Sequence, residues 1–495
     1  MEKRLFNTIK MAGMAALMSG AVLFTSCESW LDVKPSNETA AEQLFSTERG
    51  FQEALSGAYT LMTVPELYGR EMTFGFVDAI GQQYVLANDQ NWPYYYAQHF
   101  NYIEGNSISL CESIWKKQFT VIANVNDLLA FVDADPLVFA STLDHDLIKG
   151  EALALRAFLH FDLLRLYVPH DADGSSTDKI MPYVDVFSKN TAGSLTFTEI
   201  ADKIISDLTQ AAKLLENDPI RSGVVHPDPY FKNRRFHLNY YAVKALMARV
   251  YLYTNHQPEA LACALDVIAA QQGQGLFPFV SEADATNSDR SQRDRTFSTE
   301  HIFALDIIDL QSYTEGYVYK VNPMLQLQCR RGGYDPDTWG PLPIKKYIFE
   351  GYNDYRAEFI ERESGIEDIS SKFWQSDPKK RFIHKMPLIR IAEMYYIAAE
   401  CAQSVAYLET VRKARNIDIS LDETLKGEEL QAEILKEYNK EFIGEGQVFF
   451  YHKRKGSTFI NENPVASSVN YWLPMPEQEI NFGGRPRPEK MKNEE

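Results

Sequence analysis

The sequence predicts a mainly α fold in which paired helices form a scaffold that carries two long irregular insertions. Three observations predict it. Apolar residues recur every three or four positions in segments along most of the chain, the segment 238–272 has the pattern of a complete helical hairpin, and residues 68–105 and 274–374 show no sustained period. With 495 residues and 45% hydrophobic content, the chain can bury a large core. We expect the helices to position the insertions, and the insertions to carry function.

The hairpin at 238–272 is the clearest helical unit. Its first apolar stripe starts at Leu238, and Pro258 suits the first turn of the second helix because its missing N–H would have no helical partner there. Small residues that let two backbones approach closely occur in both halves, at Ala245, Ala248, Ala260 and Ala264. Gly273 is the predicted end of the second helix. This pattern is typical of a tetratricopeptide-like helix pair, which needs neighbours to cover its faces.

Companion helices are predicted on both sides of the hairpin. Apolar periodicity places them at 47–62, 115–135, 148–166, 197–215, 388–401, 406–416 and 428–444. Pro65, Pro136 and Pro169 follow the first three, where proline prevents a helix from continuing. The short apolar run at 302–308 is compatible with a strand, and the segment 471–488, rich in Pro and Gly, is predicted to be extended.

Residues 1–26 are predicted to be a targeting segment rather than part of the fold. A short basic leader precedes an apolar stretch at 11–24, and small residues stand just before Cys27. The segment ending at Cys27 resembles a bacterial lipobox, in which the cysteine becomes the lipidated first residue, so 27–495 is the expected mature domain. The alternatives are an ordinary signal peptide with a chance cysteine, or a membrane helix. The apolar run is shorter than the roughly 20 residues that span a bilayer.

The charge of the chain limits its partners. The formal net charge is -18 and the pI is near 5.1. Nucleic acids and anionic lipids attract clustered Lys and Arg, so this balance argues against binding either through bulk charge. Aromatic residues make up 13% of the chain, which is compatible with extensive packing or stacking surfaces.

No motif for catalysis, a cofactor or a metal is found. The chain contains no nucleophile elbow, no phosphate-binding glycine-rich loop and no His-Glu-x-x-His helix. The stretches 171–175 and 335–337 are acidic but lack the ligand spacing of a calcium-binding EF-hand, so we interpret them as solvated turns. The cysteines after Cys27 have no metal-type spacing and are predicted to be buried thiols, with a disulfide as the alternative: Cys111, Cys263, Cys329 and Cys401.

The first insertion contains a dense aromatic cluster. Its aromatic members are Trp92, Tyr94, Tyr95 and Tyr96, and the polar side chains near them are Asp78, Asn88, Asp89, Asn91 and Asn101. Sugar rings stack their flat faces on aromatic planes and hydrogen-bond their hydroxyls to carboxylates, amides and guanidinium groups. The second insertion offers a matching wall of Arg330, Arg331, Tyr334 and Trp339. We regard both sets as candidate ligand residues. The alternative is that these aromatics fasten irregular chain to the scaffold.

Five sequence blocks resemble the SusD/RagB-like outer-membrane lipoproteins of nutrient uptake. In order they are CESWLDVKPSNETAAEQLFSTERGFQEALSGAYTLM, RAFLHFDLLRLYV, PLIRIAEMYYIAAE, ILKEYNKEFIGEGQVFFYHKRKG and YWLPMPEQEI. Together they extend across nearly all of 27–495, and their order and spacing are specific. The resemblance implies a SusD-like helical fold with tetratricopeptide-like units and no catalysis. Arg390 and Glu393, which lie on one helix face in the third block, are therefore interpreted as structural.

Two positions depart from the family pattern. After the Glu-Gly pair of the fourth block the family usually has an Arg and, three residues on, an Asp; here Val448 and Tyr451 stand in those places. Replacing both charged partners avoids leaving one buried charge without the other. This indicates a divergent branch of the family.

The resemblance also implies a function. It predicts a lipid-anchored protein on the outer face of the outer membrane that captures an oligosaccharide and delivers it to a SusC-like TonB-dependent transporter. One alternative is capture of a peptide by the same architecture. Another, from a different class, is a secreted glycoside hydrolase. The identity and linkage of the glycan are not predicted.

Overall fold

The computed structural model describes residues 36–85, 90–171, 173–188, 190–315, 327–329, 334–335, 339–363, 366–461, 463–465 and 468–486. The predicted targeting segment and Cys27 lie outside the described residues, as do Asn88, Asp89, Arg330 and Arg331. Helices dominate the described chain, which confirms the mainly α fold.

Helices follow one another along the whole described chain. In the amino-terminal half they are α1 (Ser36–Leu44), α2 (Glu48–Met62), α3 (Phe76–Ile80), α4 (Tyr95–Gln98), α5 (Asn106–Phe131), α6 (Thr142–Tyr167), α7 (Phe197–Leu214), α8 (Pro219–Ser222), α9 (Tyr240–Tyr253) and α10 (Gln257–Gln274). In the carboxyl-terminal half they are α11 (Glu282–Ala285), α12 (Leu310–Glu315), α13 (Ile344–Tyr347), α14 (Ile391–Ala402), α15 (Val405–Ala414), α16 (Gly427–Glu441), α17 (Val448–Lys455) and α18 (Glu477–Asn481).

The strands are short and pair in small antiparallel sheets. They are β1 (Tyr84–Val85), β2 (His301–Asp306), β3 (Gln328–Cys329), β4 (Tyr334–Asp335), β5 (Gly340–Pro341), β6 (Ile360–Glu363), β7 (Ile366–Ser370), β8 (Lys385–Arg390), β9 (Phe459–Ile460) and β10 (Asn463–Pro464). One sheet has the order β1-β3-β7-β6, and the other pairs are β2 with β8, β4 with β5 and β9 with β10.

The long predicted helices are confirmed, and local chemistry explains where they begin. Thr47 caps α2 by accepting the Gly50 N–H at 3.2 Å. Thr196 and Glu199 form a reciprocal capping box at the start of α7, which satisfies two backbone donors that the helix itself leaves free. Helix α5 begins at Asn106, before the predicted start. Its first turns carry few apolar residues, so the apolar periodicity did not reveal them. Helix α18 interrupts the carboxyl-terminal segment predicted to be extended.

The hairpin of α9 and α10 lies at the centre of the helical scaffold. Ala248 is fully buried, α10 packs against α14, and α9 packs against α7, so the predicted neighbours cover both faces. Pro258 lies in the first turn of α10, as predicted. The predicted end at Gly273 is wrong: α10 continues to Gln274, and Gly275 supplies the left-handed cap with φ +67°.

The sequence predicted a single helix over 388–401, and this prediction is wrong. Its first residues belong to β8, which pairs with β2, and helix α14 begins only at Ile391. A short run buried on all sides has no periodicity to separate strand from helix, so the pairing with β2 decides. The strand compatible with 302–308 is confirmed as β2.

The first insertion is not an appendage outside the scaffold. Phe74, Phe76, Val77 and Tyr84 are buried and belong to the same hydrophobic core as the long helices. Helix α3 also packs against α17 near the other end of the chain. The described backbone of 68–105 is thus held both by burial of its apolar side chains and by turn hydrogen bonds, such as the one from the Gly75 N–H to the Arg70 carbonyl at 2.8 Å.

A buried charge centre joins the carboxyl-terminal elements. Glu441 accepts hydrogen bonds from Arg356 at 2.8 Å and from Arg415 at 2.7 Å, and it also accepts from Arg390. Arg415 reaches Glu300 with two further bonds at 2.7 Å. Burial raises the pKa of Glu441, but the three guanidinium groups outweigh it and hold that pKa well below its usual range.

Candidate functional site

The aromatic cluster of the first insertion divides into an inner and an outer part. Trp92 and Tyr94 are 3% and 1% exposed, and their rings meet edge to face at 5.4 Å. The Tyr94 hydroxyl donates to a Glu71 oxygen at 2.8 Å, and the Phe76 N–H donates to the same oxygen at 3.0 Å. Burial raises the pKa of Glu71. The inner pair packs against the fold instead of presenting ring faces to solvent.

The outer part consists of Tyr95, Tyr96 and His99, which retain exposed surface. The two tyrosine rings are perpendicular at 5.2 Å, and His99 lies 4.6 Å from Tyr95. The Tyr96 ring rests on Gly105, where an added Cβ would lie 2.6 Å from ring carbon Cδ2. Gly105 therefore has two reasons to be glycine, this contact and its φ of +53°. The three rings form a small aromatic platform.

The polar candidates near this platform are engaged within the protein. Asp78 is buried and accepts the backbone N–H groups of Gly444 at 2.5 Å and Gly446 at 2.8 Å. Burial raises the pKa of Asp78 to about 7, while these N–H donors act in the opposite direction. Asn101 is half-buried and accepts the Ile103 N–H at 3.4 Å. The Asp78 carboxylate thus fastens the insertion to the chain after α16 and lies away from the surface.

The second insertion supplies the most exposed tryptophan of the candidates. Trp339 is 82% exposed in the turn that precedes β5, where its φ is +56°. Tyr334 lies in β4, and its backbone pairs with Pro341. The two candidate arginines at 330 and 331 lie outside the described residues. Of the predicted second wall, Trp339 is the side chain that the structure places on the surface.

The two insertions join in one sheet. Tyr84 of β1 is opposite Cys329 of β3, Val85 is opposite Gln328, and β3 continues the sheet through Ile369 of β7. These ladders link 68–105 directly to 274–374, two segments that the sequence predicts to act together. Trp339 itself lies beside β5, which pairs with β4 in a separate two-stranded sheet of the second insertion.

The signature residues of the helical scaffold are buried in ion pairs. Glu393 receives the Arg249 Nε–H at 2.6 Å, and Glu400 receives Arg454 at 2.7 and 2.8 Å. Arg390 is fully buried in the charge centre. Removing one partner from such a pair leaves an uncompensated buried charge, so these residues hold the fold together.

The two departures from the family pattern lie on α17, where the Arg454 guanidinium is 5.5 Å from the centre of the Tyr451 ring. Val448 and Tyr451 are buried, and the Tyr451 ring packs 4.9 Å from Tyr438. The Tyr451 hydroxyl donates to the Gln431 side chain at 3.3 Å. Aromatic packing thus stabilises the position where an ion pair would otherwise be expected.

Sequence reasoning did not include His99. It lies four residues after Tyr95 and follows the short helix α4, so its ring packs against the Tyr95 ring with the two planes tilted by 42°. The i, i+4 spacing was the signal available for it.

Several other features bear on chemistry. In the described part of the chain, no group of three or more His, Cys, Asp or Glu side chains is arranged to hold a metal ion. Cys111, Cys263 and Cys329 are buried free thiols, as predicted, whereas Cys401 is a free thiol that is only half-buried. Among the helices that the structure describes, none is both long and apolar enough to cross a bilayer.

Two family models match the chain. The model described as starch-binding and associating with the outer membrane matches residues 29–252, and the SusD family model matches residues 369–458. Together they cover more than half of the chain. A search of curated protein sequences finds no match.

Solved structures of several SusD-like proteins are similar along nearly their entire length. A SusD superfamily protein from Bacteroides vulgatus is 20% identical with a TM-score of 0.67, covering 88% of this chain and 97% of its own. A SusD superfamily protein from Bacteroides thetaiotaomicron is 19% identical with a TM-score of 0.65, covering 89% and 100%. Surface glycan-binding protein A from Bacteroides thetaiotaomicron, solved with laminarihexaose, is 17% identical with a TM-score of 0.60, covering 88% and 98%. At these identities the similarity concerns the fold.

Proposed function

The chain belongs to the SusD/RagB-like family, and from this premise we propose that it is a cell-surface lipoprotein that binds a glycan and delivers it to a SusC-like TonB-dependent transporter. The observation that carries the proposal is the pair of aromatic surfaces on the joined insertions. Tyr95, Tyr96 and His99 form one, and Trp339 is the other. Both lie on irregular chain that a rigid helical scaffold holds in place, as binding residues commonly do.

Sugar chemistry fits this surface. The C–H face of a pyranose ring packs on an aromatic plane, and two perpendicular tyrosines offer planes in different directions. A neutral glycan carries no charge for the -18 chain to repel. The inner residues Trp92, Tyr94 and Asp78 are buried, and the hydrogen bonds of Tyr94 and Asp78 hold the first insertion on the fold.

A finding that supports a binder over a hydrolase is the state of the two buried carboxylates of the first insertion. Asp78 and Glu71 are buried and bound to donors of the fold. A glycosidase needs two carboxyl groups facing the scissile bond from opposite sides. We therefore propose capture without catalysis, with no cofactor.

The binding proposal is tested with purified protein and two polysaccharides, starch and laminarin, by affinity electrophoresis followed by calorimetry. Starch follows from the description of the matching family model, and laminarin from the ligand of the similar solved structure. Trp339→Ala and Tyr95→Ala are each expected to weaken binding about tenfold, since each removes an aromatic contact of about 0.5–1.5 kcal/mol plus buried area.

Phe482→Ala is the matched control, because Phe482 is an exposed aromatic outside both insertions. Its affinity should equal that of the wild type. Unchanged affinity in both insertion variants would refute the aromatic site. Shortening of the polysaccharide during long incubation would favour the hydrolase, and selective binding of peptides would favour the peptide-capture alternative.

Membrane attachment is proposed through Cys27, with the mature protein on the outer face of the outer membrane. Each buried CH₂ of an acyl chain contributes about 0.8 kcal/mol, so several chains anchor a protein firmly. Cys27→Ala should release the protein into the soluble fraction in cells that lack the transporter. Retention on membranes after a high-salt wash would place the anchor elsewhere.

A further inference from the structure

A second concave surface lies in the connection between α7 and α9. It is an open cleft of about 380 Å³, with apolar walls that include Ile220, Val225, Phe231 and Leu276. None of its lining residues belongs to the aromatic platform. Its volume falls within the roughly 300–1,000 Å³ of small-molecule sites, at the low end.

The floor of this cleft is held in place by buried charged pairs. Arg234 donates to both Asp218 oxygens, at 2.9 and 2.7 Å, and also to Glu151. His226 accepts the Asp228 N–H on Nδ1 at 3.1 Å, so its Nε2 carries the proton that faces Asp144 at 2.9 Å. These pairs fix the backbone around the cleft before any ligand arrives.

Two further cations line the cleft and differ from Arg234. Arg235 is half-buried, donates to the Thr299 carbonyl at 3.2 Å and lies 5.3 Å from the centre of the Phe277 ring. Within the described residues, no carboxylate lies within ion-pair distance of Arg235 or of the exposed Lys232. Asp228 acts on Lys232 only over a longer distance.

This lack of acidic partners is informative in so acidic a chain. The sequence has 68 Asp and Glu residues against 50 Lys and Arg residues. Arg234, in the same cleft, donates hydrogen bonds to the carboxylates of Asp218 and Glu151. A guanidinium with free N–H groups recognises a carboxylate through two parallel hydrogen bonds. The exposed amide of Asn233 and the apolar walls add partners for hydroxyl groups and C–H faces.

We propose that this cleft is a second ligand site that binds an acidic sugar, with Arg235 pairing the carboxylate of a uronic acid and Lys232 adding charge at the rim. The volume accommodates a ligand of one or two sugar rings. The site is independent of the aromatic platform, so either one can fail without the other.

The test uses the full mature chain and digalacturonate, with the methyl ester of the same disaccharide as the uncharged match. Calorimetry should detect binding of the acid. The affinity for the ester should be lower than that for the acid by about tenfold or more. Arg235→Gln should weaken binding of the acid about tenfold or more. Lys232→Gln changes an exposed side chain, should leave the fold intact and should weaken binding less.

Arg221→Gln is the matched control. Arg221 follows Ile220 on α8, but its own side chain does not line the cleft. It should bind like the wild type. Equal affinity for the acid and its ester, or no binding of digalacturonate at millimolar concentration, would overturn the proposal. So would wild-type affinity in both Arg235→Gln and Lys232→Gln. Starch and laminarin binding in these variants should stay unchanged, which separates this site from the aromatic platform.

Discussion

The carboxylate of Asp78 accepts the backbone N–H of Gly446 at 2.8 Å, across 368 positions of the chain. The same carboxylate accepts the Gly444 N–H at 2.5 Å and the Tyr84 hydroxyl at 3.2 Å. The first insertion is thereby fastened to the segment between α16 and α17. Asp78, a candidate for ligand contact in the sequence, has a structural role in the fold.

We predict that Asp78→Asn lowers stability. One of the two backbone donors would then face an amide NH₂ instead of an acceptor, and a buried donor left without a partner costs about 1–3 kcal/mol. Thermal unfolding of Asp78→Asn should have a lower midpoint than that of the wild type. The midpoint of Asp202→Asn, an exposed change of the same kind on α7, should equal that of the wild type. Equal midpoints for the two variants would show that the clamp contributes nothing.

Trp92 and Tyr95 are expected to separate fold from function. Trp92 is buried, so Trp92→Ala should destabilise the protein by about 3–5 kcal/mol through lost burial and a cavity. Tyr95 is only half-buried, and Tyr95→Ala should cost clearly less while weakening glycan binding. The sequence identified Trp92 as a candidate ligand residue, and its burial gives it a packing role instead. A wild-type unfolding midpoint for Trp92→Ala would contradict its observed burial.

The hairpin of α9 and α10 gives a test of close packing. Ala248 is fully buried, so Ala248→Leu inserts volume into a filled core and should cost about 1–3 kcal/mol. Ala262→Leu makes the same change on the exposed side of α10 and should leave the unfolding midpoint within error of the wild type. Similar midpoints for both variants would mean that the helix contact tolerates the extra volume.

Stability should fall in acid partly through Glu151. Burial raises the pKa of Glu151, but the charges of Arg234 and His237 outweigh it and bring that pKa to about 2. Because the folded pKa lies below the unfolded value of about 4.3, Glu151 contributes stability above that pH and loses it as the pH falls towards 2. The unfolding midpoint of the wild type should therefore drop steadily across this window.

Glu151→Gln isolates that contribution. It leaves the buried Arg234 with one carboxylate fewer, which costs about 3–5 kcal/mol at neutral pH. The difference in midpoint between the wild type and Glu151→Gln should be largest at pH 7 and shrink as the pH approaches 2. Glu259→Gln, an exposed change on α10, should follow the wild type at every pH. A pH-independent difference would show that Glu151 is not the titrating group.

Local patterns predicted the helices well because the apolar residues that each amphipathic helix buries recur every three or four positions within its own sequence. Pro258 is an example, since its effect on the first turn of α10 depends only on residues close to it in the sequence. The strand that ends at Arg390 was missed, because only its distant partner β2 makes it a strand. The left-handed cap at Gly275 was missed for a smaller reason: two glycines stand near the helix end, and spacing does not choose between them.

The candidate site was predictable in place but not in orientation. The aromatic cluster does lie where the two insertions join, and Tyr95 and Tyr96 do reach the surface. That Trp92 and Tyr94 turn inward depends on Glu71 and on the core beneath them, and no spacing rule expresses such contacts. The cleft beside Arg235 had no motif at all, because its lining residues form no spaced pattern of ligands.

The charge centre around Glu441 has a consequence for the order in which this molecule assembles. Its partners stand far apart along the chain, with Arg415 separated from Glu300 by 115 positions and Arg390 by 90. A guanidinium that enters the apolar interior before its carboxylate arrives is strongly disfavoured. We therefore expect the loops that bring Arg390 to Glu441 and Glu445 to close late in folding, since long-range closure costs chain entropy before the ion pairs form. A nascent chain that ends before Glu441 leaves Arg390 without its bonds to Glu441 and Glu445, whereas Arg415 already has Glu300 and Arg356 already has Asp354.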